Sequence, residues 1–247
     1  MRRIGHAGLS DAGRVRGTNE DRWAADRSLG LYVVADGLGG RAAGATAAQM
    51  AVDVLPALVR RRLEGVADLA DPDAAESLAG ALAELSARVH AATRRDAALH
   101  GMGAAVVVAV LRGAWGLLGH LGDCRAYLFR DGVLKRLTRD HSLVQLLLDS
   151  GDVTPTQAAA HPARGQLTRY LGMETEPLPE ARVVALGAGD RLLLCSDGLT
   201  SQVGEEVIGD ILGQARRRAE ACERLVTAAN AAGGRDNVTA LILDVLD

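Results

Sequence analysis

Three apolar runs in this chain each end in a carboxylate. Leu31-Tyr-Val-Val-Ala35 runs into Asp36-Gly37, Trp115-Gly-Leu-Leu-Gly-His-Leu-Gly122 into Asp123, and Arg191-Leu-Leu-Leu-Cys-Ser196 into Asp197-Gly198. Short apolar runs bounded by turn residues read as buried strands. A fold for this chain must therefore accommodate three buried strands with a negative charge at their ends. A fourth pair, Asp236-Asn237, precedes the stretch Val238 to Val245, and Asn19-Glu20-Asp21 lies upstream. Singly, such pairs are ordinary turns whose side chains cap their own backbone. Collectively they can aim carboxylates at metal ions.

The remaining pattern sets the fold class. Apolar and charged residues recur at spacings of three and four over Ala42 to Leu63 and Asp73 to Leu99, predicting two long helices. Pro56 is expected to bend or interrupt the first. Strands are expected over Ile4 to Asp11, Trp23 to Asp26, Leu31 to Ala35, Ala104 to Leu111, Trp115 to Leu121, Ala126 to Arg130 and Val133 to Leu137. Arg112-Gly113 and Asp131-Gly132 join consecutive members as hairpins. The second half predicts helices over Ser142 to Ser150, Glu205 to Leu212 and Ala215 to Ala232, with strands Ala181 to Leu186, Arg191 to Cys195 and Val238 to Val245. Strands clustered in hairpins and set apart from long helices argue for an α+β fold, a sandwich of two antiparallel sheets flanked by helices, and against alternating βαβ units. No Pro/Gly/Ser linker divides the chain, so residues 1–247 are expected to form one domain. The polar segment Gly151 to Gly172 is expected to be a loop beside the site or a short helix pair.

Composition excludes several classes. A formal charge of −3 over 247 residues gives no electrostatic reason to expect nucleic acid or an anionic membrane. Arg60-Arg61-Arg62 and Arg216-Arg217-Arg218 read as solvated faces of helices. The longest apolar run, Ala104 to Leu111, is too short to span a bilayer, and no leader pattern opens the sequence, so a cytoplasmic location is expected. Cys124, Cys195 and Cys222 suit neither a disulfide framework nor a zinc site and are expected to be reduced.

Eight stretches in order resemble the metal-dependent Ser/Thr protein phosphatases of the PPM (type 2C) class in their bacterial form. They are Ser10 to Asp21, Val34-Ala-Asp-Gly-Leu-Gly-Gly40, Gly101-Met-Gly103, Gly122-Asp-Cys-Arg-Ala-Tyr127, Leu137-Thr-Arg-Asp-His-Ser142, His161 to Arg164 with Leu167-Thr-Arg169, Leu194-Cys-Ser-Asp-Gly-Leu199 and Gly234-Arg-Asp-Asn-Val-Thr239. The resemblance implies α-β-β-α layers and hydrolysis of phosphoserine and phosphothreonine by water activated between two metal ions. It also implies that Asp36 bridges the ions, that the Gly37 carbonyl completes one, and that Asp197 and Asp236 hold the other. Glu20 would act through bound water, Asp21 would orient the ligands, and Arg16 would bind the phosphoryl oxygens. Asp123 matches a third, weaker metal position, with a turn carboxylate that merely caps backbone amides as the alternative. Massing these carboxylates costs several kcal/mol per pair at ~4 Å and an effective dielectric near 20, which divalent cations remove. An all-oxygen donor set suits Mn²⁺ or Mg²⁺ in place of zinc.

The chain departs from the family in two places. Leu38 stands where eukaryotic relatives carry a histidine that can protonate the leaving alkoxide, which leaves a metal-bound water as the default donor. Ala104 and Ala105 follow Gly103 where the family usually has threonines, which is expected to loosen contacts near the third-metal region. His141 and His161 read as structural residues that hold loop to core through a ring hydrogen bond. The expected partners are phosphoproteins and, by family habit, a Ser/Thr kinase that the enzyme opposes, with the chain a monomer. Two other readings are a partner-switching phosphatase acting on anti-sigma-factor antagonists and a phosphoprotein-binding pseudo-phosphatase.

Overall fold

The computed structural model describes residues 3–39 and 42–247. Gly40, the last residue of the second motif, lies outside the described residues. The chain runs through strands β1 (Arg3–Asp11), β2 (Arg22–Asp26) and β3 (Leu31–Leu38), then helices α1 (Ala42–Arg62) and α2 (Pro72–Thr93). Strands β4 (Gly103–Arg112), β5 (Trp115–Leu121), β6 (Arg125–Arg130) and β7 (Val133–Arg136) follow, then α3 (Leu143–Ser150) and α4 (Pro155–Ala159). The chain closes with β8 (Glu180–Ala185), β9 (Arg191–Cys195), α5 (Asp197–Thr200), α6 (Glu205–Gln214), α7 (Arg218–Ala231) and β10 (Val238–Leu246).

Among the described residues ten strands form two five-stranded sheets, ordered β1-β10-β9-β6-β7 and β2-β3-β4-β5-β8, with every neighbouring pair antiparallel. Strand β4 shows why they stack. Its Ala104, Val106, Val108 and Val110 pack with α1 and α2, whereas Ala105, Val107 and Ala109 pack against Leu192, Leu194 and Leu241 of the other sheet. Alternate side chains of a strand face opposite ways, so a strand buried on both faces must read as an unbroken apolar run. Leu193, Cys195 and Ile242 point outward on the other sheet, beneath Ile208 of α6 and Leu225 of α7. The layers are thus helix, sheet, sheet, helix, as the resemblance implied.

Several local expectations are corrected. The helix expected to reach Leu99 ends at Thr93, because the Asp96 carboxylate accepts the Ala98 N–H at 2.8 Å and opens a separate 3₁₀ turn over Ala97–Leu99. Pro56 does not interrupt α1, whose flanking Leu55, Leu58 and Val59 are buried and hold the helix through packing. Arg216 and Arg217 precede α7, which begins at Arg218, not at Ala215. Arg61, Arg62 and Arg88 gather on Glu84. The Gly151 to Gly172 segment holds one short helix, α4, opened by a capping box between Thr154 and Gln157. Its later part is tied down by bridges from Leu167 to Ser142 and from Leu171 to Ala104.

The three cysteines are free and buried. No helix among the described residues is long and apolar enough to cross a membrane.

Candidate active site

Both sheets contribute to one cleft. Asp36 and Gly37 lie in the last turnings of β3, and Asp123 follows β5 in the same sheet. Asp197 follows β9 and Asp236 precedes β10 in the other sheet. The cleft, of about 1100 Å³, is lined by Arg16, Glu20, Asp36, Gly37, Asp123, Asp197 and Asp236. Residues separated by most of the chain therefore meet where the ends of interior strands from the two sheets come together. Of the eight residues singled out from the sequence, Asp21 alone does not line the cleft.

Asp21 is turned inward, 1% exposed, and its Oδ2 accepts from the hydroxyls of Ser196 and Thr239, each at 2.7 Å. It thereby ties the strand ends that carry Asp197 and Asp236 to the start of β2. Its other oxygen, Oδ1, is buried with no hydrogen-bond partner. A buried, unpaired carboxylate oxygen is costly unless a cation or a water compensates it.

The electrostatics of the cleft are those of crowded acids. Burial holds Asp36 and Asp123 protonated well above the usual carboxylate range, and the neighbouring aspartates push them further. Asp197 is raised by burial and then by Asp236, a rise partly offset by its hydrogen bond with Asp36. Asp21 is pushed up to about 7, chiefly by burial. Glu20 is also raised by burial. The donor set is all oxygen, with no imidazole or thiolate in the cleft wall among the described residues. This donor set and the orphaned Asp21 Oδ1 fit hard divalent cations such as Mn²⁺ or Mg²⁺.

Backbone packing sets the floor of the cleft. A Cβ at Gly37 would collide with the Gly44 carbonyl in the first turns of α1, and one at Gly44 would collide with the Glu20 carboxylate. Two glycines therefore let helix, strand and acid approach at a point where side chains would fill the site.

Arg16 reaches the cleft from the β1–β2 connection, with its Nη2 donating to Asp236 Oδ2 at 2.8 Å. The guanidinium is thus paired with one of the acids expected to hold an ion.

Sequence reasoning missed the residues that brace this arrangement. Asn237 accepts the Glu20 N–H at 2.8 Å and donates to the carbonyls of Ala12 and Thr18 at 2.9 and 2.8 Å, fastening the Arg16 connection to β10. The Asp-Asn pairing and its place in the last motif were the signals for it. Ser196 and Thr239 were visible only as motif members. Ala105 stands opposite Asp36 in the β3–β4 register and beneath Gly122. Leu38 lines the cleft and offers no proton. His141 joins loop to core, accepting the Gly122 N–H at its Nδ1, whereas the His161 ring accepts the nearby Ala163 N–H.

Comparison with known proteins places this geometry. The model of the Protein phosphatase 2C family matches residues 14–231. A serine/threonine protein phosphatase of Mycobacterium tuberculosis, PstP, is 41% identical over 254 residues, covering 98% of this chain and 45% of that protein. The chain thus spans about half the length of that relative. A serine/threonine phosphatase, stp, of Listeria monocytogenes is 35% identical, covering 95% of this chain and 93% of that protein. The solved catalytic domain of PstP in complex with two manganese ions superposes with a TM-score of 0.83 at 36% identity, covering 99% of both chains.

Proposed function

The chain belongs to the protein phosphatase 2C family, and on that premise we propose that it is a metal-dependent protein serine/threonine phosphatase. One observation carries the reading: half-buried acids from both sheets, with only oxygen donors among the described residues, converge on one open cleft beside the Arg16 guanidinium. We read residues 1–247 as one catalytic domain.

Asp36, the Gly37 carbonyl, Asp197 and Asp236 would hold two Mn²⁺ or Mg²⁺ ions, Glu20 would reach them through water, and Asp123 would hold a third. When bound, such ions lower the pKa of a shared water and neutralise charge on a phosphoryl group. The residues of the chain do the rest. Arg16, 56% exposed at its side chain, can swing from Asp236 to present a planar fork to the phosphoryl oxygens. Asp21 keeps Ser196 and Thr239, and so the neighbouring ligands, in place. Leu38 excludes a histidine acid from the alkoxide side, so the leaving oxygen takes its proton from water. The substrates are phosphoserine and phosphothreonine proteins, and the partner in signalling is the Ser/Thr kinase that phosphorylates them.

The test is phosphate release from a phosphothreonine peptide by wild type and Asp197→Asn, each titrated with Mn²⁺ and checked against chelator. Metal-dependent turnover lost in the variant supports the reading. A wild type that binds metal and releases no phosphate overturns it in favour of a phosphoprotein-binding role.

A further inference from the structure

Outside the acidic cleft, His120, His141 and Glu180 bring potential ligand atoms within 4.8 Å of one another. Their hydrogen bonds show what they are built for. The Gly122 N–H points at His141 Nδ1 at 3.3 Å, so that nitrogen holds the lone pair and the ring proton sits on Nε2, facing Glu180 Oε1 at 3.2 Å. His120 Nε2 lies 2.8 Å from the Arg139 carbonyl and must donate to it. The two rings are stacked, with centroids 4.5 Å apart and planes 19° from parallel, so their in-plane lone pairs do not converge. Arg169 already supplies a cation, donating to Glu180 Oε1 at 3.2 Å. A metal here would have to expel that guanidinium and the imidazole proton.

We propose that Glu180 and His141 act instead as positioning residues for Asp123, and that Arg169 links them to the 151–172 segment. The proposal rests on the reading of Asp123 as an ion ligand. His141 takes both backbone polar groups of Gly122: its own N–H donates to the Gly122 carbonyl at 2.9 Å, and its ring accepts the Gly122 N–H. That carbonyl belongs to the peptide unit leading into Asp123. Gly122 sits at φ +97°, a conformation side chains resist, and a Cβ there would collide with Ala105. The turn is therefore clamped from below by Ala105 and from outside by His141. Glu180 fixes the ring by accepting its Nε2 proton, as carboxylates do for metal-bound histidines one bond further out.

The 151–172 segment grips the same residue. The Thr168 N–H donates to the His141 carbonyl at 2.8 Å, and the next residue is Arg169. A shift of this segment along the cleft mouth, where Arg164 and Leu167 line the wall, is therefore passed through His141 to the peptide that aims Asp123.

The test compares wild type, Glu180→Ala, Arg169→Met and Asp123→Asn. Glu180 is half exposed, so its truncation spares the fold. Two readouts are used: Mn²⁺ stoichiometry and affinity by electron paramagnetic resonance, and hydrogen exchange of the Gly122 amide in metal-free protein. Glu180→Ala and Arg169→Met are expected to weaken the loosest Mn²⁺ ion by about 10- to 100-fold while the tight pair is unchanged, and Glu180→Ala is expected to speed Gly122 exchange. Asp123→Asn should abolish the loosest ion, after which Glu180→Ala adds nothing. Unchanged Gly122 exchange, or a parallel loss of all ions, overturns the positioning role. Faster exchange with an unaltered ion count in both Glu180→Ala and Asp123→Asn overturns the underlying assignment of Asp123.

Discussion

The Arg16 guanidinium is hydrogen bonded to Asp236 Oδ2 across 2.8 Å, joining the proposed phosphate binder to a proposed ion ligand. An ion at Asp236 and an anion at Arg16 would each draw its partner away from this pair. Substrate and metal are therefore expected to favour each other's binding.

Arg16→Ala is expected to lower kcat/KM by roughly 10- to 100-fold, the scale of lost charged hydrogen bonds worth about 1.5–3 kcal/mol. Arg16→Lys should recover only part, since it keeps the charge and loses the fork. Stability in chelator should move by less than about 1 kcal/mol, because the pair is exposed. Steady-state kinetics beside urea melts of the metal-free protein check both, and unchanged kinetics would remove Arg16 from the phosphate site.

Metal removal should leave a protein that loses stability as pH rises. Asp36 and Asp123 are raised well above the usual range and Asp21 to about 7. Groups whose folded pKa exceeds the unfolded value contribute most below the unfolded value, near 3.8, and their contribution is lost as pH climbs through the folded one. Melting temperature in chelator should therefore fall between about pH 4 and 7 and beyond, and Mn²⁺ should flatten the decline. A chelated protein equally stable at pH 5 and 8 would contradict the assignment of buried, mutually repelling acids.

Asp21→Asn separates stability from function. Removing a buried charge whose Oδ1 lacks a partner is expected to leave the metal-free melting temperature at pH 8 equal to or above that of wild type. Loss of its bracing should weaken Mn²⁺ binding by about 10- to 100-fold. Calorimetric melting and Mn²⁺ titration of the same preparation measure the two effects, and a variant that binds Mn²⁺ as wild type does would make Asp21 a packing residue only.

Gly44→Ala should be damaging despite favouring helix formation. The new Cβ meets the Glu20 carboxylate and the Gly37 peptide, and overpacking of this sort costs about 1–3 kcal/mol. Chemical denaturation and phosphatase assay should both show loss, whereas Gly209→Ala inside α6, whose Cβ would meet only Leu134 at 3.5 Å, should show neither.

The sandwich was legible because its signals are local. The unbroken apolar run of β4 and the turn pairs Arg112-Gly113 and Asp131-Gly132 sit within a few residues of the strands they define. The early end of α2 was hidden, since Asp96 caps a new turn inside an otherwise helical run. The one-turn helix α5 was hidden within Asp197-Gly198, where the preceding Ser196 spends its hydroxyl on Asp21. The acids at strand ends were readable one by one, and the ordered motifs supplied their roles. Asn237 was not assigned a role, because its bond to Glu20 spans 217 positions and no local periodicity encodes it.

The cleft straddles the seam between two plates: Asp36 and Asp123 ride on one sheet, Asp197 and Asp236 on the other. Ions gripped by all four would rivet those plates together. The spacing of the acids is then set by the thickness of the layer that Val107, Leu194 and Leu241 fill. Core packing between the sheets thus calibrates the bite of the site.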